Sequence, residues 1–370
     1  MSATLKSISE AGTSIWLDDL SRERMVHGGK SRHLSELIAH DHVVGVTTNP
    51  AIFSSSISKS SLYSEDLKSL ASQGHNAESI ITELTTSDVK QACDLFLPVF
   101  ERTKGIDGRI SIEVDPRLAR DTEGTISQAR DLWKKVSRPN VLIKVPATLE
   151  GLPAIQQLTA EGISVNVTII FSVERYQAVL EAFIAGLEER VAKNLDISQI
   201  HSVASFFVSR VDTEIDPRLT SHSNPAATSL LGKAAIANAR LAYQHFESVL
   251  ASPRWNSLAT SGGNIQRPLW ASTGVKDPTY DPTMYVVELV APMTVNTMPE
   301  PTLNAVRDSG TFRGNTATHD YENAQSVLAD LAALGIDISD VALKLENEGI
   351  DKFIKPWLEL MSAVEAAARQ

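Results

Sequence analysis

Eight short apolar runs, each followed by a longer helical pattern, constrain this chain more than any other feature. They are residues 14–18 (SIWLD), 44–49 (VGVTTN), 109–115 (RISIEVD), 141–145 (VLIKV), 163–171 (ISVNVTIIF), 201–208 (HSVASFFV), 269–272 (LWAS) and 290–296 (VAPMTVN). Runs of this length and composition read as strands, and the helical periodicity between them forces parallel crossovers. Eight such units without a composition break favour one α/β domain over residues 1–370, a (β/α)8 TIM barrel. Extra helices are expected at the N-terminus, between the second and third strands (51–103) and at the C-terminus, where 323–367 reads as helices joined around Gly335 and Gly349. An Ala-rich helix is expected over about 226–251, before the seventh run. The alternative, a doubly wound open sheet, calls for a Gly-rich phosphate fingerprint after its first strand. His27-Gly28-Gly29-Lys30 is neither that fingerprint nor a Walker A loop, and reads as a turn between helices.

Parity along the runs separates two faces, because side chains alternate between barrel interior and helix layer. Asp18 goes with Trp16, Thr47 with Asn49, and Ser111 with Glu113 and Asp115. Lys144 goes with Leu142, Asn166 with Thr168, Ser205 with Phe207, and Trp270 with Ser272. Seven runs thus carry a polar group near their C-terminal end, where barrel active sites are built. A strand-end Ser or Thr alone reads as a turn former. The recurrence, with a lysine, a glutamate and an aspartate among them, reads as a charged site at one mouth.

Lys144 is the most informative of these. It interrupts an otherwise apolar strand, and an ammonium removed from water costs several kcal/mol, roughly, unless it is paired or gives up its proton. A neutral amine is a nucleophile towards carbonyls. One reading is a Schiff-base lysine; the other is a strand-end lysine that snorkels to solvent. An iminium ion accepts electrons from a breaking C–C bond, and that chemistry needs a base and a proton shuttle. Asp18 and Glu113 are the candidates. Amides and hydroxyls at Asn49, Asn166, Thr168, Ser205 and Ser272 suit sugar hydroxyls, and Arg210 or Lys276 suits a phosphate.

Composition narrows the partners. A formal net charge of −11 disfavours nucleic acid and anionic membrane, so an anionic substrate needs a local cationic cluster. The single cysteine, Cys93, lies in a helical pattern and reads as a packed core thiol. Residues 1–12 show no basic region followed by an apolar one, and no run reaches about 18 apolar residues. The expectation is a cytoplasmic protein without secretory signal or membrane span. His40 and His42 flank Asp41 ahead of the second run and read as a solvated loop; Lys233 reads as a solvated helix face.

The segments WLDD, TTNP, RISIEVDPRLA, VLIKVPAT, NVTIIFS, SFFVSRVD and WASTGVK, in this order from Asp18 to Lys276, resemble the transaldolase family in its actinobacterial type. The resemblance implies a class I aldolase barrel without metal or organic cofactor, acting as monomer or homodimer. It implies transfer of a dihydroxyacetone unit from sedoheptulose 7-phosphate to glyceraldehyde 3-phosphate, within the non-oxidative pentose phosphate pathway. Lys144 would form the Schiff base and Asp18 would serve as acid/base for the C4 hydroxyl. Glu113 with Thr168 would position a catalytic water. Asn49, Asn166 and Ser272 would hold the dihydroxyacetone unit, Phe207 would line the site beside Ser205, and Arg210 would bind phosphate. Many members carry an arginine two residues after the serine of the seventh strand. This chain has Gly274 there, and Lys276 is the substitute cation. The rival functions are an aldolase that releases free dihydroxyacetone and a non-catalytic sugar-phosphate-binding barrel.

Overall fold

The computed structural model describes residues 2–368 apart from His27, Lys30 and His319, so the two ends of the His27–Lys30 turn lie outside the described residues. Eight parallel strands close a barrel in sequence order. They are β1 (Thr13–Asp18), β2 (Val43–Thr47), β3 (Arg109–Glu113), β4 (Val141–Pro146), β5 (Val165–Ile170), β6 (Ser202–Phe207), β7 (Arg267–Ala271) and β8 (Thr294–Met298). Further helices surround the strands. Ala3–Glu10 precedes β1; Pro50–Lys59, Ser64–Ser72 and Ala77–Arg102 lie between β2 and β3; Tyr321–Ala333 and Ile338–Ala368 follow β8. The last of these packs against Pro50–Lys59 and Ala77–Arg102, across the C-terminal mouth. Cys93 is buried within Ala77–Arg102.

Register, more than strand content, builds the site. Parallel pairing sets Glu113 opposite Lys144, Lys144 opposite Asn166, Pro146 opposite Thr168 and Asp18 opposite Thr47. These residues belong to distant parts of the chain and share one level of the barrel. Lower in the interior the indole of Trp16 fills the space beside Gly45, where a Cβ would stand 2.5 Å from the ring.

Several boundaries differ from the sequence reading. The eighth strand begins at Thr294, not at Val290. Pro292 has no N–H to give a ladder, and Met293 takes φ 58°, so the extended run cannot start earlier. The Val290 carbonyl instead accepts from Thr316 N at 2.9 Å. The Ala-rich segment is two pieces, a 3-10 turn Pro225–Leu230 and a helix Ala234–Leu250, separated at Gly232 with φ 68°. Lys233 precedes that helix and is exposed. Gly349 is no joint, since Ile338–Ala368 runs through it. Trp270 does not share a face with Ser272. It packs edge-on against Phe206, which in turn meets Tyr176 of the helix layer, while Ala271 faces inward.

The packing at Gly45 is testable. Gly45→Ala should lower folding stability by about 1–3 kcal/mol, read from the midpoint of denaturant unfolding. An unchanged midpoint would mean that the Trp16 ring yields freely.

Candidate active site

At the C-terminal mouth a cleft of about 180 Å3 is lined by nine of the eleven candidate residues: Asp18, Asn49, Lys144, Thr168, Ser205, Phe207, Arg210, Ser272 and Lys276. The other two sit beside or below it. Glu113 adjoins Lys144 on the neighbouring strand, and Asn166 forms part of the floor.

Lys144 does not snorkel. Only 4% of the residue is exposed. Its ammonium lies 3.2 Å from Glu113 Oε2 and donates to the Thr48 carbonyl at 2.8 Å. The Phe353 ring, from the C-terminal helix, stands 5.8 Å from Nζ and helps to exclude solvent. A lysine held this way has two polar partners and one approach, through the cleft.

The two carboxylates are perturbed in the same direction by the same main cause. Burial raises the pKa of Asp18, against the Thr47 hydrogen bond and the Lys144 charge, which pull it down. Burial likewise raises Glu113, and Lys144 opposes it. Their surroundings differ. Asp18 Oδ1 accepts from Thr47 Oγ1 at 2.6 Å, and that hydroxyl meets Thr297 Oγ1 at 2.7 Å. Glu113 instead contacts the lysine. Across the floor, Ser205 donates to Asn166 Oδ1 at 2.7 Å and Asn166 donates to Ser111 Oγ at 2.9 Å, so the amide is locked in orientation. Thr168 Oγ1 is buried and has no hydrogen-bond partner, an acceptor and donor held ready near Lys144.

Each remaining residue is aimed by local backbone. Asn49 caps the helix that starts at Pro50, accepting from Ile52 N at 3.0 Å. By alternation Ser272 would face the helix layer, but it takes φ 54°, which turns it to the cleft beside Ser209 Oγ at 2.9 Å. Arg210 lies in the first turn of the helix Ser209–Thr220, with its guanidinium 5.2 Å from the Phe207 ring. Its Nη1 is buried without a hydrogen-bond partner, and burial lowers its pKa while Asp18 raises it. A half-buried cation with a buried, unused donor at a helix N-terminus fits an anion. A Cβ at Gly274 would stand 3.7 Å from Lys276 Nζ, so the ammonium occupies the neighbourhood that a side chain at 274 would enter.

A larger cavity, about 700 Å3, opens at the other end of the barrel. No lysine lines it among the described residues, so it offers no amine to a carbonyl.

Two comparisons decide the family. The profile described as transaldolase/fructose-6-phosphate aldolase matches residues 15–364. A transaldolase of Thermobifida fusca is 54% identical over 364 residues, 98% of both chains. One from Arthrobacter sp. (strain FB24) is 55% identical over 367 residues, 99% of this chain and 98% of the relative. One from Mycolicibacterium smegmatis is 55% identical over 361 residues, 98% and 96% of the two chains. This chain belongs to the transaldolase/fructose-6-phosphate aldolase family.

Against the transaldolase motifs, sequence reasoning missed Phe353, Thr47 as the partner of Asp18, Thr297 and Ala271. Thr47 stood in the TTNP motif and could have been found there. Phe353 reaches the site only through the packing of the C-terminal helix, which no local pattern reveals. No helix among the described residues is long and apolar enough to cross a membrane.

The burial of Asp18 has a pH signature. Its folded pKa is raised above the ordinary 3.8, so protonation favours the fold, and that contribution fades as pH climbs through the raised value. Asp18→Asn keeps an acceptor for Thr47 and cannot ionise. It should raise the melting temperature near pH 8 and raise it less near pH 4. An equal change at both would show that the carboxylate is not desolvated.

Proposed function

We propose that this member of the transaldolase family moves a dihydroxyacetone unit between aldose phosphates through an imine on Lys144, in the direction sedoheptulose 7-phosphate plus glyceraldehyde 3-phosphate to erythrose 4-phosphate plus fructose 6-phosphate. The observation that carries the reading is a buried amine 3.2 Å from one carboxylate, in a cleft that also presents a second carboxylate with different partners. The compartment proposed is the cytoplasm, and the working unit a monomer or homodimer.

Glu113 takes a proton from the Lys144 ammonium, and the freed amine adds to the C2 carbonyl of the ketose. The carbinolamine loses its hydroxyl as water when Glu113 returns a proton through a water held with Thr168 Oγ1, and an iminium ion forms. Asp18 then removes the proton of the C4 hydroxyl. The C3–C4 pair of electrons passes into the iminium, which leaves an enamine on Lys144 and frees an aldose phosphate. The acceptor aldehyde takes the enamine carbon, Asp18 protonates the new alkoxide, and water releases the ketose. A raised carboxyl pKa suits Asp18 to both halves of this cycle. Asn49, Asn166 and Ser272 hold the three-carbon unit, Ser205 and Phe207 shape the wall, and Arg210 with Lys276 binds the phosphate. Two cations at one rim answer the need for a local positive cluster on a protein with formal charge −11.

Borohydride added with fructose 6-phosphate should fix a three-carbon adduct on the peptide that carries Lys144, and Lys144→Arg should abolish it. An adduct elsewhere would sink the proposal. Asp18→Asn should lower kcat by about 10²–10⁴-fold while the adduct still forms with dihydroxyacetone. Arg210→Ala should raise KM for phosphorylated substrates more than for unphosphorylated ones. Phe353→Ala should shift the product ratio from transfer towards free dihydroxyacetone, because water then reaches the enamine; an unchanged ratio would mean that Phe353 does not control hydration.

A further inference from the structure

The cavity at the N-terminal end of the barrel is built unlike a simple plug. Its floor carries Arg109, the first residue of β3, and Arg267, the first residue of β7, with Asp107 and His201 beside them. Asp107 is fully engaged. It accepts from Ser14 Oγ at 2.7 Å, from Trp16 Nε1 at 3.1 Å and from Arg267 Nη2 at 2.9 Å. Arg109 has no such counterion: among the described residues no carboxylate comes within ion-pair distance of it. It is 1% exposed, its Nε donates to the Gly105 carbonyl at 2.7 Å, and its Nη1 is buried without a hydrogen-bond partner. The Phe100 ring stands 5.2 Å from its Cζ and Asp107 acts on it from a distance, but neither occupies Nη1, and a buried guanidinium left so is costly unless something negative completes it.

A second orphan faces the same space. His42, read from sequence as part of a solvated loop, is half-buried, lines this cavity, and has Nε2 buried with no hydrogen-bond partner. Burial, with Arg109 and Arg267 adding to it, pushes His201 down to about 3, so this ring is neutral near pH 7 and adds no charge. Arg102 stands at the exposed rim. Three arginines against one aspartate leave two positive charges around the cavity. The walls are apolar in part: Trp255 and Ile265 lie inside, and Ile106 and Met293 are 48% and 43% exposed at the opening. Large apolar side chains left open to water beside an unneutralised cationic floor describe a receptor more than a seal.

We propose that this cavity, at the opposite end of the barrel from Lys144, is a binding site for a phosphomonoester with an apolar or aromatic body. The dianion neutralises the floor, accepts from Arg109 Nη1 and the buried edge of His42, and is approached past Arg102. The organic part lies against Trp255, Ile106 and Met293. A volume of about 700 Å3 holds such a molecule whole.

Phenyl phosphate is the probe, titrated calorimetrically into the full chain, with inorganic phosphate and benzyl alcohol as its two halves. With Arg210→Ala removing the proposed phosphate contact of the upper cleft, one equivalent should still bind, more tightly than either half. Arg102→Glu, at an exposed position, should weaken binding by about tenfold and Arg109→Gln by more. Should Arg109→Gln fail to fold, Ile106→Asp supplies the second variant and should also weaken binding. Hydrogen exchange should slow in residues 102–109 and 264–267 on binding. Three results would each overturn the proposal: no binding at millimolar probe, binding lost in Arg210→Ala, or binding indifferent to Arg102→Glu. Equal affinity for inorganic phosphate would overturn the apolar half of the assignment.

Discussion

The contact between Lys144 and Glu113 is the constraint around which the upper half of the barrel is arranged. Both side chains are almost wholly removed from water, 5% and 6% exposed, and neither could stay charged there alone. Their proximity depends on no flexible loop. It follows from two adjacent parallel strands paired in a register that sets the residues opposite each other. A slip of one residue in either strand would turn its own charged side chain to the helix layer and leave both charges buried and unmatched. The register is therefore held by electrostatics from within and by apolar packing from outside, and the two demands agree.

Around that pair, the polar interior is organised as separate circuits. Asp18, Thr47 and Thr297 link three strands on one side. Ser205, Asn166 and Ser111 link three on the other. The first leaves a carboxylate facing the cleft; the second fixes an amide by its oxygen and one of its two N–H groups. A buried polar network earns its place when its members are satisfied or aimed at a ligand, and both cases occur within one layer of this barrel.

Much of this was legible in the chain. Strand–helix alternation and a polar residue near most strand ends are local properties, and they located Lys144, Glu113, Asp18 and Thr168 on one mouth before any contact was known. The misreadings have specific causes. A single left-handed residue defeats alternation, as at Ser272, where the backbone and not parity decides the facing side. Pro292 and Met293 delay β8 by breaking an apolar run that looks continuous on paper. Gly349 looked like a stop because glycine usually is one, yet the helix continues through it. It passes over Arg210, Ile169 and Phe171, each 3.6 Å from where its Cβ would stand. Phe353 is the largest gap, because its role comes wholly from long-range packing.

The placement of Phe353 also sets an order of events in synthesis. The eight strands, with the amine and both carboxylates, leave the ribosome before the helix Ile338–Ala368 does. A nascent barrel can close on its own strand pairing, but it lacks the Phe353 ring over Lys144 until this helix is made. Dryness at the site is thus conferred late, by a helix made about two hundred positions after Lys144 and later still after the two carboxylates. Closing of the mouth is thereby tied to the making of a distant segment, and a chain without that helix leaves Lys144 one wall short.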